Sequence, residues 1–197
     1  MRRLHFWFEF ASTFSYVAAS RVERVADAAG VTMEWKPFLL GPIFQAQGWN
    51  DSPFNLYPVK GRYMWRDMER LCAAEGIGLR RPSQFPRSGL LAARVASLAE
   101  AVSWRAEFAR RIFAANFADD RDISDPAVVG SVVESLGLPA ARVLESAQGR
   151  ENKERLRHQT EEAVRLGIFG APTFVVGEEL FWGNDRLEQA IAWCNGR

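Results

Sequence analysis

Leu4-His5-Phe6-Trp7-Phe8-Glu9-Phe10 narrows the possible folds of this chain more than any other segment. A nearly continuous aromatic and apolar run of this length has the character of a strand buried on both faces, which requires helices on both sides of a sheet. The pattern then changes. Tyr16, Ala19, Val22, Val25, Ala26 and Ala29 recur at three- and four-residue spacing, with Arg21, Glu23, Arg24 and Asp27 between them. This predicts a helix from about Thr13 to Ala29, stopped by Gly30. Val31 to Lys36 alternates as a second strand before Pro37, so the opening reads as a β-α-β unit with parallel strands and a right-handed crossover.

Gly, Pro, Asn and Asp are dense between Gly41 and Pro58, which predicts loop with one helical turn at Ile43 to Ala46. Helical patterns follow over Lys60–Glu75, with Gly76 as the stop, and over Leu90–Glu100, Ser103–Phe117, Asp125–Leu136, Pro139–Ser146 and Glu151–Leu166. Two short strands, Pro172–Val176 and Leu180–Trp182, flank the turn residues Gly177-Glu178-Glu179, and a last helix is expected from Arg186 to Cys194. The order βαβ, helices, ββα is the thioredoxin arrangement with a helical interruption. The expectation is an α/β, thioredoxin-like fold: residues 1–40 and 165–197 form the thioredoxin-like domain, and 41–164 an all-helical insertion.

Composition removes several classes of function. With 197 residues, 48% apolar and 25% charged, the chain suits one globular domain. Its 25 basic and 24 acidic side chains leave no electrostatic footprint for nucleic acid or an anionic membrane. No run approaches the ~20 apolar residues of a bilayer span. Met1-Arg2-Arg3 enters a run that carries Glu9 rather than a signal-peptide core, which predicts a cytoplasmic protein. Cys72 and Cys194 stand too far apart in sequence for a C-x-x-C pair, so dithiol chemistry is closed and both are expected as small buried side chains. His5 and His158 lie outside any cluster with metal-ligand spacing, so no metal is expected. Trp7, Trp35, Trp65, Trp104 and Trp193 read as packing residues.

Three motifs carry the chemistry. Ser12-Thr13-Phe14-Ser15 follows the first strand at the start of the first helix, where thioredoxin-like redox proteins carry C-x-x-C. A helix start offers unpaired N–H groups and partial positive charge to an anion, and a serine hydroxyl can donate a hydrogen bond to a thiolate that arrives with a cofactor. The plain alternative is an N-cap. The second motif is Phe169-Gly170-Ala171-Pro172-Thr173. In the thioredoxin arrangement a proline here is cis, and Ala171 before it presents its N–H and C=O to a peptide-like ligand such as glutathione. The sequence leaves open whether Pro172 is an ordinary trans turn proline. The third is Trp182-Gly183-Asn184-Asp185-Arg186. Here Asp185 suits the ammonium of a γ-glutamyl group, and Asn184 with local N–H groups suits its carboxylate, while capping and turn formation explain the same residues.

Taken together, F-x-F-x-S-x-x-S-Y, the segment Pro58-Val59-Lys60-Gly61-Arg62-Tyr63, and F-G-x-P-T-F followed by W-G-N-D-R-L resemble the 2-hydroxychromene-2-carboxylate isomerases and the kappa-class glutathione transferases, with Gln159-Thr160 in support. The resemblance spans nearly the whole chain. It implies a DsbA-like thioredoxin fold, usually dimeric, that binds glutathione. Ser12 matches the catalytic serine, Ala171 and Pro172 the site of the cysteinyl portion, and Trp182, Gly183, Asn184 and Asp185 the γ-glutamyl segment. Thr13 stands where the family usually has proline, and Ala171 where a branched residue is more common. On the substrate side, a lysine of the isomerases falls at Phe44, and an asparagine-arginine pair near Phe54 and Asn55. Lys60 or Arg62 is left to replace these cations.

The function this implies is a glutathione-dependent isomerase. A thiolate held by Ser12 adds reversibly to a conjugated carbonyl compound, a double bond becomes a rotatable single bond, and glutathione is regenerated. A pocket lined by Phe38, Phe44, Phe54 and Phe85 would receive a small aromatic electrophile. One alternative is a kappa-like transferase or peroxidase, in which glutathione is consumed. The other is a module that holds extended peptides without catalysis.

Overall fold

β1 (Leu4–Phe8) lies inside a four-stranded sheet of order β2-β1-β3-β4. The computed structural model describes residues 3–196; residues 1, 2 and 197, the outermost positions of the two expected thioredoxin-like segments, lie outside the described residues. β2 (Met33–Pro37) runs parallel to β1, with Phe8 opposite Pro37. Pro37 is tolerated in a strand because β2 forms an edge and its missing N–H breaks no inner ladder. β3 (Thr173–Val176) and β4 (Glu179–Trp182) add antiparallel, with Trp7 opposite Thr173 and Thr173 opposite Trp182.

Alternation along β1 divides its aromatic residues between two layers. Phe6 and Phe8 pack with α1 (Thr13–Ala28), α10 (Leu187–Cys194) and α6 (Arg105–Phe117) in the larger core. Trp7 turns the other way, against Phe38, Ile43 and Ile168. Phe113 of α6 joins the helical part to the sheet, its ring 6.0 Å from Phe8, 5.2 Å from Phe10 and 6.3 Å from Tyr16. The remaining helices are α2 (Leu40–Ala46), α3 (Pro53–Leu56), α4 (Pro58–Glu75), α5 (Leu90–Ala96), α7 (Pro126–Ser135), α8 (Ala140–Gln148) and α9 (Arg150–Arg165). α9 is tied to the end of β2. Gln159 donates to the Pro37 carbonyl, and the Thr160 hydroxyl accepts from the Leu39 N–H at 3.3 Å.

Three expectations change. The stretch 41–58 is not mostly loop, since α2 and α3 both form there. α3 is capped by Ser52, whose hydroxyl accepts from the Phe54 N–H, and it presses its Phe54 carbonyl onto the bare Gly61 of α4. The helix expected over Leu90–Glu100 ends at Ala96, and a 3-10 turn, Ala99–Ser103, follows it. Trp193 is 39% exposed rather than packed away, beside Phe181 at 6.3 Å, whereas Trp7 and Trp35 are buried. Cys72 and Cys194 are buried. Among the described residues no helix is long and apolar enough to cross a membrane.

Candidate active site

Ser12 is the N-cap of α1, in extended backbone, and its Oγ accepts from the Ser15 N–H at 3.1 Å. The same hydroxyl donates to the Ala171 carbonyl at 3.0 Å, across 159 residues of chain. The atom that caps the helix is the same one the functional reading needs, so the two readings of Ser12 do not compete. The Thr13 and Phe14 N–H groups donate to no acceptor among the described residues, as expected in a first helical turn. Ser15 stands where a second redox cysteine would be, and its buried hydroxyl has no partner among the described residues.

The Ala171–Pro172 peptide bond is cis. The Ala171 carbonyl already receives Ser12, while its N–H is unpaired among the described residues, so this half-buried position has one donor left for a ligand. Pro172 is buried, and its carbonyl accepts from the Gly183 N–H at 2.9 Å, which joins the second motif to the third. Gly170 lets the indole nitrogen of Trp182 come close, because a Cβ there would collide with it. The Trp182 ring is 53% exposed and sits 4.9 Å from that of Phe169.

Within the third motif the structure separates two residues that the sequence treats as a pair. Asn184 is 5% exposed, and its side-chain oxygen accepts from Arg21 of α1 at 3.4 Å, so it braces α1 instead of facing outward. Asp185 is exposed, with its nearest cation, Arg186, at 3.8 Å. Gly183 has φ +113°, and a Cβ on it would meet Asp185 Oδ1 at 2.5 Å. Arg21, which the sequence reading placed only among the polar positions of α1, also pairs with Glu75 at 3.3 Å and with Glu188, linking α1, α4 and α10 behind this loop.

The aromatic residues do not form one pocket lining. Phe38 is fully buried, edge-on to Trp7 at 5.9 Å, because the residue after β2 belongs to the core. Phe44 packs on Trp49 at 5.4 Å and on the same layer as Ala171. Phe54 reaches the Ser12 helix by its contact with Phe14 at 6.1 Å. Asn55 donates to the Phe85 carbonyl at 3.0 Å, and Phe85 in turn meets Trp65 at 5.1 Å. Lys60 is exposed, its ammonium over the Tyr57 ring at 5.0 Å, and no contact joins it to Ser12 among the described residues.

Glu9 is a site residue the sequence reading passed over. It is 8% exposed, three positions before Ser12, with Oε2 accepting from the Ala11 N–H at 2.9 Å. Burial pushes its carboxyl up to about 7, and the Ala11 hydrogen bond offsets only part of that. Its signal in the sequence was one charge inside an otherwise apolar run.

A serine-capped helix start held against the residue before a cis-proline, on this sheet order, agrees with a family model described as the DSBA-like thioredoxin domain, which matches residues 3–191. The chain belongs to the DSBA-like thioredoxin family. Within it, the chain is 31% identical over 192 residues to a 2-hydroxychromene-2-carboxylate isomerase of Sphingobium xenophagum, over 95% of each chain. It is 24% identical to glutathione S-transferase kappa 1 of Homo sapiens, over 95% of this chain and 88% of that one. A solved structure of a 2-hydroxychromene-2-carboxylate isomerase superposes with a TM-score of 0.88 at 25% identity, over 98% of this chain and 94% of the other. These DSBA-like relatives are enzymes. With serine at positions 12 and 15, this DSBA-like chain has no cysteine with which to form a disulfide at its helix start.

Proposed function

We propose that this protein is a glutathione-dependent isomerase of the 2-hydroxychromene-2-carboxylate type, acting on a small aromatic electrophile as a cytoplasmic homodimer. One observation carries the glutathione part: the Ser12 hydroxyl at the start of α1 lies 3.0 Å from the Ala171 carbonyl, beside an Ala171 N–H without a partner among the described residues. Those groups fit a cysteinyl peptide, with Ala171 N–H as a strand-like donor, and the Thr13 and Phe14 N–H groups with the Ser12 hydroxyl facing the sulfur. Trp182, Gly183 and Asp185 would hold the γ-glutamyl end, Asp185 by charge. When bound, glutathione supplies a sulfur nucleophile that adds to a conjugated carbonyl compound and leaves after bond rotation.

The protein's own contribution is electrostatic. Ser12 must turn its single hydroxyl proton from the Ala171 carbonyl toward the sulfur, and the α1 dipole favours the negative charge there. Phe14 and Phe54 offer an apolar wall next to Ser12. The isomerase outcome is preferred over transfer because the relative from Sphingobium xenophagum is the more similar in sequence of the two kinds.

The test is calorimetric titration with glutathione together with an assay on a 2-hydroxychromene-2-carboxylate. Catalytic amounts of glutathione should suffice and be recovered. Ser12→Ala should lower turnover by about a hundredfold or more, the cost of removing one preorganised donor to a developing anion. Full activity of that variant, or stoichiometric loss of glutathione, would refute the isomerase reading.

A further inference from the structure

The Glu9 carboxyl sits in surroundings that do little for a negative charge. Among the described residues Oε2 has only the Ala11 N–H, and the Glu9 carbonyl holds the Ser12 N–H at 3.0 Å, so the residue grips both amides that lead into α1. Gly89, at the entrance to α5, makes the room for it, since a Cβ there would stand 3.2 Å from Oε1 and 2.7 Å from the Phe10 Cβ. No charged group compensates it among the described residues. Arg87, two positions before Gly89, is turned to Asp120, Ser83 and Asn116, and Asn116 of α6 gives its amide to the Phe10 carbonyl at 3.2 Å. At the other end of β1, His5 faces Glu34 at 3.7 Å. An apolar side chain would fill the same space without the cost of burying an acid, so packing does not account for Glu9.

We propose that Glu9 is the proton acceptor coupled to sulfur ionisation at Ser12. The proposal rests on the glutathione reading above. Glu9 takes the proton released by the thiol, directly or through water, and returns it when the sulfur is released. The S–H bond breaks with its electron pair left on sulfur, an O–H bond forms on Glu9, and the net charge of the site does not change. The physical reason is that two negative charges at one poorly solvated helix start oppose each other, so ionised sulfur and ionised Glu9 are alternatives. Glu9 is here the proton acceptor itself, and the two amides it grips fix where it stands.

The experiment counts protons. Glutathione is titrated into the wild-type protein and Glu9→Gln at about pH 6 and about pH 8, in buffers of different ionisation enthalpy, while ultraviolet absorbance reports bound thiolate. In the wild type, net release should be about one proton at the lower pH, where Glu9 is already protonated, and near zero at the higher, where Glu9 captures it. Glu9→Gln should release about one proton at both. Bound thiolate with equal proton counts in the two proteins at both pH values overturns the role of Glu9 and leaves the glutathione site standing. Absence of bound thiolate in the wild type overturns both. Should Glu9→Gln fail to fold, the wild type alone decides, because a proton count that is flat between the two pH values also overturns the proposal.

Discussion

At the scale of single residues, the site depends on positions where one atom has two duties or where a missing atom makes room. Gly183 is the clearest example. Its φ of +113° disfavours any L side chain, and a methyl group would press on Asp185 Oδ1. Gly183→Ala should therefore cost about 1–3 kcal/mol of stability. For a chain of this length the melting temperature should fall by about 2–4 °C per kcal/mol. If Asp185 holds the γ-glutamyl end as proposed, glutathione affinity should fall as well, because Asp185 is displaced; an unchanged affinity in calorimetry would remove Asp185 from that role. Ser12, Ala171 and Pro172 were legible because residue type and position in the element order agree, although only the structure shows the cis bond and the contact between them. Asn184 turns inward for a physical reason that the motif does not carry. In a W-G-N-D-R run both polar residues look equally free, and only the placement of Arg21 on α1, 163 residues earlier, shows which one turns inward. Glu9 was visible as an interruption, but a sequence does not say whether a charge in an apolar run ends the strand at the surface or is enclosed.

At the scale of elements, the reading worked where periodicity was strong and failed where a neighbour decides the ending. β1, α1 and the C-terminal ββα follow their patterns to within a few residues, with Gly30 and Gly76 in the positive-φ conformation just past α1 and α4. The early end of α5 has no such marker, and the Ser97 hydroxyl donates back to the Ala93 carbonyl as the helix stops. α2 was legible only as its last turn, Ile43 to Ala46, and α3 lay hidden in a stretch rich in turn residues, because Pro42, Ser52 and Pro53 serve as helix-start residues as readily as loop residues. The joint between helices and sheet is equally invisible from either partner alone. Phe113 meets Phe8, Phe10 and Tyr16, and so connects α6 to β1, to the loop that carries Glu9, and to α1. Phe113→Ala should cost about 3–5 kcal/mol by opening a cavity there. Urea unfolding measures the loss, and a cost below about 1 kcal/mol would mean that the two parts pack independently of this ring.

At the scale of the whole molecule, the same enclosed acid gives stability a pH dependence that can be separated from the rest. Glu9 ordinarily titrates at 4.5 and in the fold at about 7. Between those values the folded chain keeps a proton that the unfolded chain has lost, so the Glu9 contribution falls as pH rises through this window and levels off above it. His5, whose pKa burial lowers, acts in the opposite sense near neutrality. The pKa of Glu34 is lowered by Lys36, and that of Glu107 by Arg111 and Arg110; both contributions are lost only as pH falls through their folded values. In the alkaline range Tyr16, raised to about 12, and Cys72, raised to about 11, repeat the Glu9 pattern. The total curve is thus a sum of opposed terms, and only a difference isolates one of them. Glu9→Gln removes a single titration from the folded state and keeps an acceptor for the Ala11 N–H. The stability gap between the variant and the wild type should open in favour of the variant by roughly 2.5 kcal/mol from about pH 5 to about pH 8, read from urea unfolding at both. A gap that stays constant would mean that Glu9 is solvated in the fold after all, and an acid with ready access to water would not need to exchange its charge with a sulfur at Ser12.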